Sequence, residues 1–195
     1  ILMMNMPLFP LNTLVCPGGK LPLRIFEPRY LDMLKACLKD ESGFVIVMLK
    51  QGGETDGYAS RFYQVGTIVT IVDFDQCDDG ILEITVEGKS RVHIPSFECQ
   101  ADGLWRGEVD IAMEESFVAL PSEYLELKSV LQALVQHPIV KELNMDIDYG
   151  DGRQVGWRLT ELLPLENAQK QCLFEMNDPI HRLEKISDQL DLMGS

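Results

Sequence analysis

The hydrophobic pattern of this chain changes its period once, between residues 114 and 121, and this change constrains the fold more than any other feature. Before it, apolar residues alternate with polar ones or form short β-branched runs, as in residues 81–86, which is typical of strands. After it, apolar residues recur every three or four positions, which is typical of helices. We therefore predict an α+β chain with a β-rich lobe (residues 1–116) followed by a helical-bundle lobe (residues 117–195).

The first lobe contains several short strand-like segments with turn signals between them. These segments are residues 8–11, 44–49, 65–74, 81–86, 91–94 and 105–113. One helix interrupts them and begins at Pro28, since proline is tolerated at the first helical position. Its apolar stripe consists of Tyr30, Leu31, Leu34, Cys37 and Leu38. Short strands spaced in this way favour a small closed barrel.

The second lobe contains four helix-like segments. The first runs from Pro121 to Pro138, followed by residues 152–163 and 166–175. Asp178 and Pro179 form a cap and first-turn pair for the last helix. The apolar positions within each segment lie on one side, so the four helices are predicted to pack as a bundle.

Charge and composition exclude several classes of partner. The net charge of −14 repels phosphate backbones and anionic lipid, so we expect neither a nucleic acid nor a membrane partner. No apolar run reaches membrane-spanning length, and the start lacks the features of a signal peptide. The five cysteines contain no C-x-x-C pair, which favours buried free thiols in a cytoplasmic protein without bound zinc.

Two apparent ligand loops are better explained as hairpin turns. Residues 88–90 resemble the end of a phosphate-binding loop, but the motif needs a glycine where Glu83 stands, and strand-like segments lie on both sides. A calcium loop counted from Asp75 places Gly80 correctly, but Val86 replaces the bidentate glutamate at position twelve. We therefore expect no cofactor at either loop.

The remaining candidate centres for chemistry are weak. The acidic loop at residues 146–151 favours a solvated turn that supplies a helix cap, with weak cation binding left open. His93, His137 and His181 show no metal-ligand spacing, and no cysteine or serine stands in a recognisable nucleophile motif. We predict no catalytic residue and no metal site.

Residues around Pro28 are better candidates for a binding surface. Two interpretations of Arg24, Glu27 and Arg29 are open. They form either an ion-pair and aromatic lock that docks the helix on the barrel, which is favoured, or one wall of a peptide groove. Trp105, at the start of a strand, is expected to be partly exposed and available to a partner.

Three N-terminal segments resemble the signature of the Lon N-terminal domain. They are residues 6–11 (MPLFPL), 17–18 (PG) and 21–31 (LPLRIFEPRYL). Further likeness lies in residues 65–67 (VGT), in the spacing of Gly88 and Arg91, and in residues 161–165 (ELLPL), 170–171 (KQ) and 182–184 (RLE). In the Lon ATP-dependent protease this domain binds substrates. It also occurs alone in bacteria and in the cereblon family.

The resemblance implies a PUA-like β-barrel followed by a helical bundle, with a role in recognising unfolded or specific protein segments. The ATPase and Ser–Lys peptidase of the full protease lie further towards the C-terminus, so we expect a non-catalytic, stand-alone module. The candidate peptide-binding residues are Phe26, Glu27, Arg29, Tyr30, Arg91 and Trp105. The expected surface is either a groove between the two lobes or an apolar patch beside Phe26 and Tyr30. A hydrolase with a convergent site and an oligomerising module remain alternatives, and the oligomeric state is left open.

Overall fold

A computed structural model describes residues 3–51 and 61–194 of the chain. It divides into two compact units, Ile1–Met113 and Glu114–Ser195. The first unit contains the strands and one helix, and the second contains the remaining helices. The predicted α+β class, with strands first and helices second, is confirmed.

Six described strands of the first unit form a single sheet. They are β1 (Met4–Leu11), β2 (Lys20–Ile25), β3 (Phe44–Met48), β4 (Val65–Gln76), β5 (Leu82–Cys99) and β6 (Trp105–Ile111). The strand order is β2-β5-β4-β3-β1-β6, and β5 also pairs with β6. Because the long β5 pairs with β4 along one part and with β6 along another, the sheet closes on itself. The small closed barrel predicted from the strand pattern is confirmed.

One helix, α1 (Pro28–Asp40), connects β2 to β3 and packs through an apolar stripe. Tyr30, Leu34 and Cys37 of the predicted stripe are buried, together with Met33, which the prediction left out. The stripe joins a core cluster that includes residues of β1, β3 and β5. Leu38 was predicted to belong to the stripe, but its side chain is 37% exposed because it lies at the edge of this face.

The segment around Gly88 corrects one prediction. We expected residues 88–90 to form a hairpin turn between two strands, but β5 continues through them. Thr67 pairs with Arg91 and Val69 with Gly88, so two residues of β5 oppose one residue of β4. This two-against-one pairing is a β-bulge, which bends a strand without ending it. The predicted turn at Asp79-Gly80 is confirmed, with Gly80 at φ +81° between β4 and β5.

The helices of the second unit begin with a 3-10 turn, Ser122–Tyr124. The α-helices are α2 (Leu125–Val135), α3 (Pro138–Lys141), α4 (Gly152–Leu162), α5 (Asn167–Glu175) and α6 (Pro179–Met193). The helix predicted to start at Pro121 therefore has a 3-10 first turn. Pro138, predicted to close that helix, also begins α3, because proline fits the first helical position. Within the described residues, no helix is both long enough and apolar enough to cross a membrane.

Two aspartates cap helices of the second unit. The Asp178 carboxylate accepts from the backbone N–H of Ile180 at 2.9 Å, as its position before Pro179 predicts. Asp151 caps α4 and also accepts from the Arg153 guanidinium at 2.8 Å. Burial would raise the pKa of the Asp151 carboxyl, but the hydrogen bonds from Arg153 outweigh it and hold the pKa below its usual range. The acidic loop thus supplies a helix cap, as predicted.

Replacing Asp151 with asparagine is expected to lower the free energy of unfolding by about 1–2 kcal/mol at neutral pH, because a charge-assisted cap becomes a neutral one. The lowered pKa means that the carboxylate stabilises the fold fully above its unfolded-state pKa. This stabilisation is lost as the pH falls through the folded-state pKa. The free energies of unfolding of wild type and variant, measured with urea, should therefore converge in acid. A difference that does not depend on pH would contradict the role of the Asp151 carboxylate.

The cysteines correct another expectation. Cys16 and Cys37 are buried, and burial raises the pKa of the Cys37 thiol, which makes it less reactive. Cys99 and Cys172, however, are exposed, and Cys77 is half-buried. The prediction that the thiols are buried was wrong for these positions, since Cys99 ends β5, Cys172 lies on the exposed side of α5, and Cys77 lies in the turn between β4 and β5.

Candidate functional site

A concave surface of about 380 Å³ lies on the first unit. We call it the α1 groove, because it surrounds the start of α1. It is lined by Phe9, Pro10, Leu11, Arg24, Ile25, Phe26, Glu27, Arg29, Tyr30, Leu49, Arg61, Phe62 and Trp105. The lining combines an apolar floor with charged side chains, which is the usual composition of a site that binds another molecule.

The connection from β2 to α1 is fixed by its charged residues. Glu27 stands at the N-cap of α1 and Pro28 at its first position, so the chain turns sharply after Phe26. The Arg29 guanidinium donates to the Glu27 carboxylate, with Nε···Oε2 at 3.1 Å. Its Nη1 also donates to the carbonyl oxygen of Gly103 at 2.7 Å. Arg29 therefore ties the start of α1 to the turn between β5 and β6.

Aromatic rings continue this arrangement into the core. The ring centroids of Tyr30 and Phe9 lie 4.1 Å apart, and the guanidinium carbon of Arg29 lies 4.7 Å from the Tyr30 centroid. Burial raises the pKa of the Tyr30 hydroxyl, against the opposing effect of Arg29. A tyrosine hydroxyl is protonated at neutral pH in any case, and the raised pKa extends its capacity to donate a hydrogen bond to higher pH.

The far side of the α1 groove is built by residues distant in sequence. Lys50 donates its backbone N–H to the carbonyl of Arg61 at 2.8 Å, which places Leu49 and Phe62 beside each other. The Phe62 ring meets the Trp105 ring edge-on at 5.6 Å between centroids. These residues give the groove a rigid aromatic floor.

Phe26 differs from the rest of the lining. Its side chain is 67% exposed at the rim, whereas Tyr30 and Trp105 are exposed by 6% and 8%. A large exposed aromatic at the rim of an apolar concavity is the type of residue that a partner buries. The expectation that Trp105 is partly exposed was wrong, because Phe62 and Phe97 pack against its ring.

Five of the six predicted peptide-binding residues line the α1 groove, namely Phe26, Glu27, Arg29, Tyr30 and Trp105. Arg91 does not line it. Its side chain is 6% exposed, and its carbonyl accepts from Ala112 at 2.9 Å. The contacts of Arg29 with Glu27 and Tyr30 supply the ion pair and the cation–π contact of the proposed lock. These three residues therefore stabilise the fold, whether or not they also bind a ligand.

Several residues that line the α1 groove were not predicted from the sequence. Phe9, Pro10 and Leu11 were recognised as strand residues, and the motif that contains them was a usable signal. Leu49, Arg61 and Phe62 gave no signal, because their position depends on backbone pairing that only the folded chain reveals.

The three histidines lie on different elements of the structure. His93 lies in β5, His181 lies in α6, and His137 caps α3. His137 also faces a shallow concavity whose lining contains no carboxylate or thiol. Across residues 3–51 and 61–194, no three His, Cys, Asp or Glu side chains lie close enough to hold a metal ion.

The fold identifies the class of protein, which has a PUA-like β-barrel unit followed by a helical-bundle unit. The family follows from comparison with known proteins. The family model described as "ATP-dependent protease La (LON) substrate-binding domain" matches residues 5–191, and the chain belongs to this family.

Known relatives agree with this assignment. The Lon protease of Escherichia coli K12 is 24% identical over 190 residues, which cover 93% of this chain and 24% of that protein. The Lon protease of Vibrio parahaemolyticus is 23% identical over 194 residues, covering 96% of this chain and 24% of that protein. The chain thus spans about a quarter of the length of the curated relatives that it matches.

Solved structures agree as well. The Lon N-terminal domain protein from Xanthomonas campestris is 32% identical, with a TM-score of 0.78, covering 95% of this chain and 98% of that chain. The N-terminal domain of a Mycobacterium avium complex Lon protease shares the fold, with a TM-score of 0.62 at 20% identity, covering 95% of this chain and 97% of that chain.

Proposed function

We propose that this chain is a non-catalytic module that binds exposed apolar segments of unfolded or specific proteins in the α1 groove. The observation that carries the proposal is Phe26, a large aromatic side chain that is 67% exposed at the rim of an apolar concavity. Membership of the Lon substrate-binding domain family supports a protein as the ligand.

The lining explains how such binding would work. A ligand side chain placed on the floor would contact Phe9, Phe62 and Trp105, which are already buried and rigid, so little entropy is lost on binding. Burying the exposed ring of Phe26 would add roughly 2 kcal/mol of hydrophobic stabilisation. Because an unfolded ligand must become ordered, net binding should be weak and broad in sequence.

The absence of catalysis and the cytoplasmic location belong to the same proposal. The matched family model is that of a substrate-binding domain, which supports a binding role without chemistry. The net charge of −14 argues against nucleic acid as the ligand. All five cysteines are free, which is typical of a reducing compartment.

Phe26→Ala is the direct test of the α1 groove. Because Phe26 supplies exposed apolar area at the rim, we expect the dissociation constant for an apolar model peptide to rise about tenfold. The measurement is fluorescence anisotropy of a labelled peptide titrated with wild type and variant. Stability should change by no more than about 0.5 kcal/mol, since the ring is mostly exposed.

Phe74→Ala is the matched control. Phe74 is 57% exposed on β4, in the same unit, and does not line the α1 groove. Its removal should leave peptide affinity unchanged. Equal losses in both variants would indicate non-specific adhesion, and no loss in Phe26→Ala would place binding elsewhere.

A further inference from the structure

Strand β4 runs past its neighbour β3 and leaves one of its sides open. β3 pairs with residues 67–69 of β4, whereas β5 continues beside β4 as far as Gln76. Within the described residues, no strand pairs with the other side of residues 71–76. We call this segment the β4 edge. An open strand edge of this kind is a template on which a further strand can pair.

Phe74 and Gln76 direct their backbone N–H and C=O groups towards the open side. The N–H of Cys77 donates to the Ile81 carbonyl at 2.9 Å, which makes Cys77 a hydrogen-bonded position of the hairpin. Gln76 comes next, opposite Leu82, so its backbone groups point away from β5. Because orientation alternates along an antiparallel ladder, Phe74 has the same orientation as Gln76.

The free edge on the other side of this part of the sheet, which belongs to β2, is blocked. β2 stands last in the strand order, and its middle residue Pro22 lies opposite Thr85. The N–H of Gly88 donates to the Gly19 carbonyl at 2.8 Å, so alternation makes Pro22 a position that faces away from β5. Proline there offers no N–H to a further strand. The β4 edge contains no proline and is the edge that remains open.

One face of the β4 edge is acidic. Asp73 and Asp75 are both exposed there, and among the described residues neither forms an ion pair. They line a concavity of about 480 Å³ together with Glu83 and Arg24. The Arg24 guanidinium already pairs with the Glu83 carboxylate at 3.3 Å. Three carboxylates thus lie around one cation, so this face has a net negative charge and is complementary to a cationic partner.

The order of side chains along the β4 edge narrows the choice of partner. Phe74 is exposed on the face opposite to the two aspartates, because side chains alternate along a strand. A second copy of this chain is a poor partner, since pairing two such edges would bring Asp73 and Asp75 near the aspartates of the other copy.

We infer that the β4 edge binds an extended segment of another protein in which basic residues alternate with apolar ones. The segment adds a strand, with its basic side chains beside Asp73 and Asp75 and an apolar side chain beside Phe74. Residues 71–76 do not line the α1 groove, so this second surface goes beyond the proposed function. An uncharged apolar peptide lacks the required cations, so Phe74→Ala remains a valid control for the groove.

The probe is a labelled peptide, acetylated and amidated, that alternates lysine and valine and begins and ends with lysine. It should bind wild-type protein about tenfold more tightly than a peptide of the same composition with the valines grouped in the centre, because only alternation places every cation on the aspartate face. Equal peptide charge controls for general attraction to a protein of net charge −14. Fluorescence anisotropy measures both affinities.

Two N-methylated versions of the alternating peptide test for backbone pairing. One carries N-methyl groups on the lysines and the other on the valines, so each lacks one of the two alternating sets of N–H groups. Only one set faces β4 in an added strand, so one version should bind at least about tenfold more weakly and the other should not.

Variants of the protein test the same surface. Gln76→Pro removes an outward N–H and leaves the pairing with β5 intact, so it should weaken binding about fivefold without unfolding the protein in a urea titration. Asp73→Asn combined with Asp75→Asn should reduce the preference for the alternating peptide to about threefold or less. Asp188→Asn combined with Asp191→Asn removes the same charge from exposed positions of α6 and should leave the preference unchanged.

Several results would overturn this inference. Equal binding of the alternating and grouped peptides would reveal general charge attraction, and N-methylation that affects neither version or both alike would exclude strand addition. If the wild type self-associates and Gln76→Pro prevents it, a second copy occupies the edge. If Phe26→Ala weakens binding of the alternating peptide, that peptide binds in the α1 groove. None of these results removes the proposed function, which depends on the uncharged apolar peptide.

Discussion

Arg182→Met should lower the free energy of unfolding of the helical unit by about 4–5 kcal/mol, the largest effect that we expect from a single substitution. The Arg182 side chain is fully buried and forms an ion pair with Glu115, with Nη1···Oε1 at 2.9 Å. Its Nε also donates to the Leu173 carbonyl at 2.9 Å, and its Nη2 donates to the Met176 carbonyl. The centroid of the Trp157 ring lies 3.5 Å from the guanidinium carbon.

Methionine would fill much of this space but supply none of the donors. Glu115, whose side chain is 7% exposed, would become a buried carboxylate without its partner, and the carbonyls of Leu173 and Met176 would lose their donor. Urea unfolding measures the effect, and hydrogen exchange of amides in α5 and α6 locates it. A loss below about 1 kcal/mol would show that the network does not stabilise the unit.

Two further variants separate charge from packing. Lys185→Met changes a cation on the same helix whose side chain is 46% exposed, and it should alter stability by no more than about 0.5 kcal/mol. Adding Glu115→Gln to Arg182→Met removes the unpaired charge, so the double variant should be more stable than Arg182→Met alone. If the double variant lost as much stability as the two single variants together, the loss would come from packing and not from the unpaired charge.

Local patterns predicted the barrel and the helices because both depend on short-range periodicity. The segment from β2 to α1 illustrates this, since Pro28 and the stripe that follows it define the helix start from adjacent residues. The same segment supplied most of the predicted groove residues, because a sharp turn brings consecutive side chains to one rim. Asp151 and Asp178 were found as caps for the same reason.

Features that depend on pairing between distant segments could not be predicted in this way. Trp105 stands at a strand start, which suggested exposure, but Phe62 covers it from a position 43 residues earlier in the chain. Arg91 was selected from a motif, yet its position opposite Thr67 in the barrel buries it. Register and tertiary packing decide such positions, and neither leaves a local signal.

Gly88→Ala is the second substitution with a large expected effect. It should lower the free energy of unfolding by about 3–4 kcal/mol. Gly88 lies at the β-bulge of β5, where sequence patterns suggested a turn. A β-carbon there would lie 2.2 Å from the carbonyl oxygen of Cys16, which is backbone and cannot rotate away. Gly88 also donates to the Gly19 carbonyl at 2.8 Å and accepts from Gly18 at 2.9 Å, so any shift weakens both bonds.

Gly80→Ala is the informative comparison, because the two glycines are required for opposite reasons. Gly80 has φ +81°, but beyond its chain neighbours no atom lies within 4 Å of the place that a β-carbon would occupy. Replacing Gly80 with alanine should therefore lower the free energy of unfolding by only about 1 kcal/mol, through backbone strain. Gly88 is not among the residues with positive φ, so glycine is required there only because a β-carbon would not fit. Urea unfolding should rank Gly88→Ala as clearly less stable than Gly80→Ala. The reverse order would mean that the loop at residues 16–19 yields easily and that β5 does not depend on this close approach.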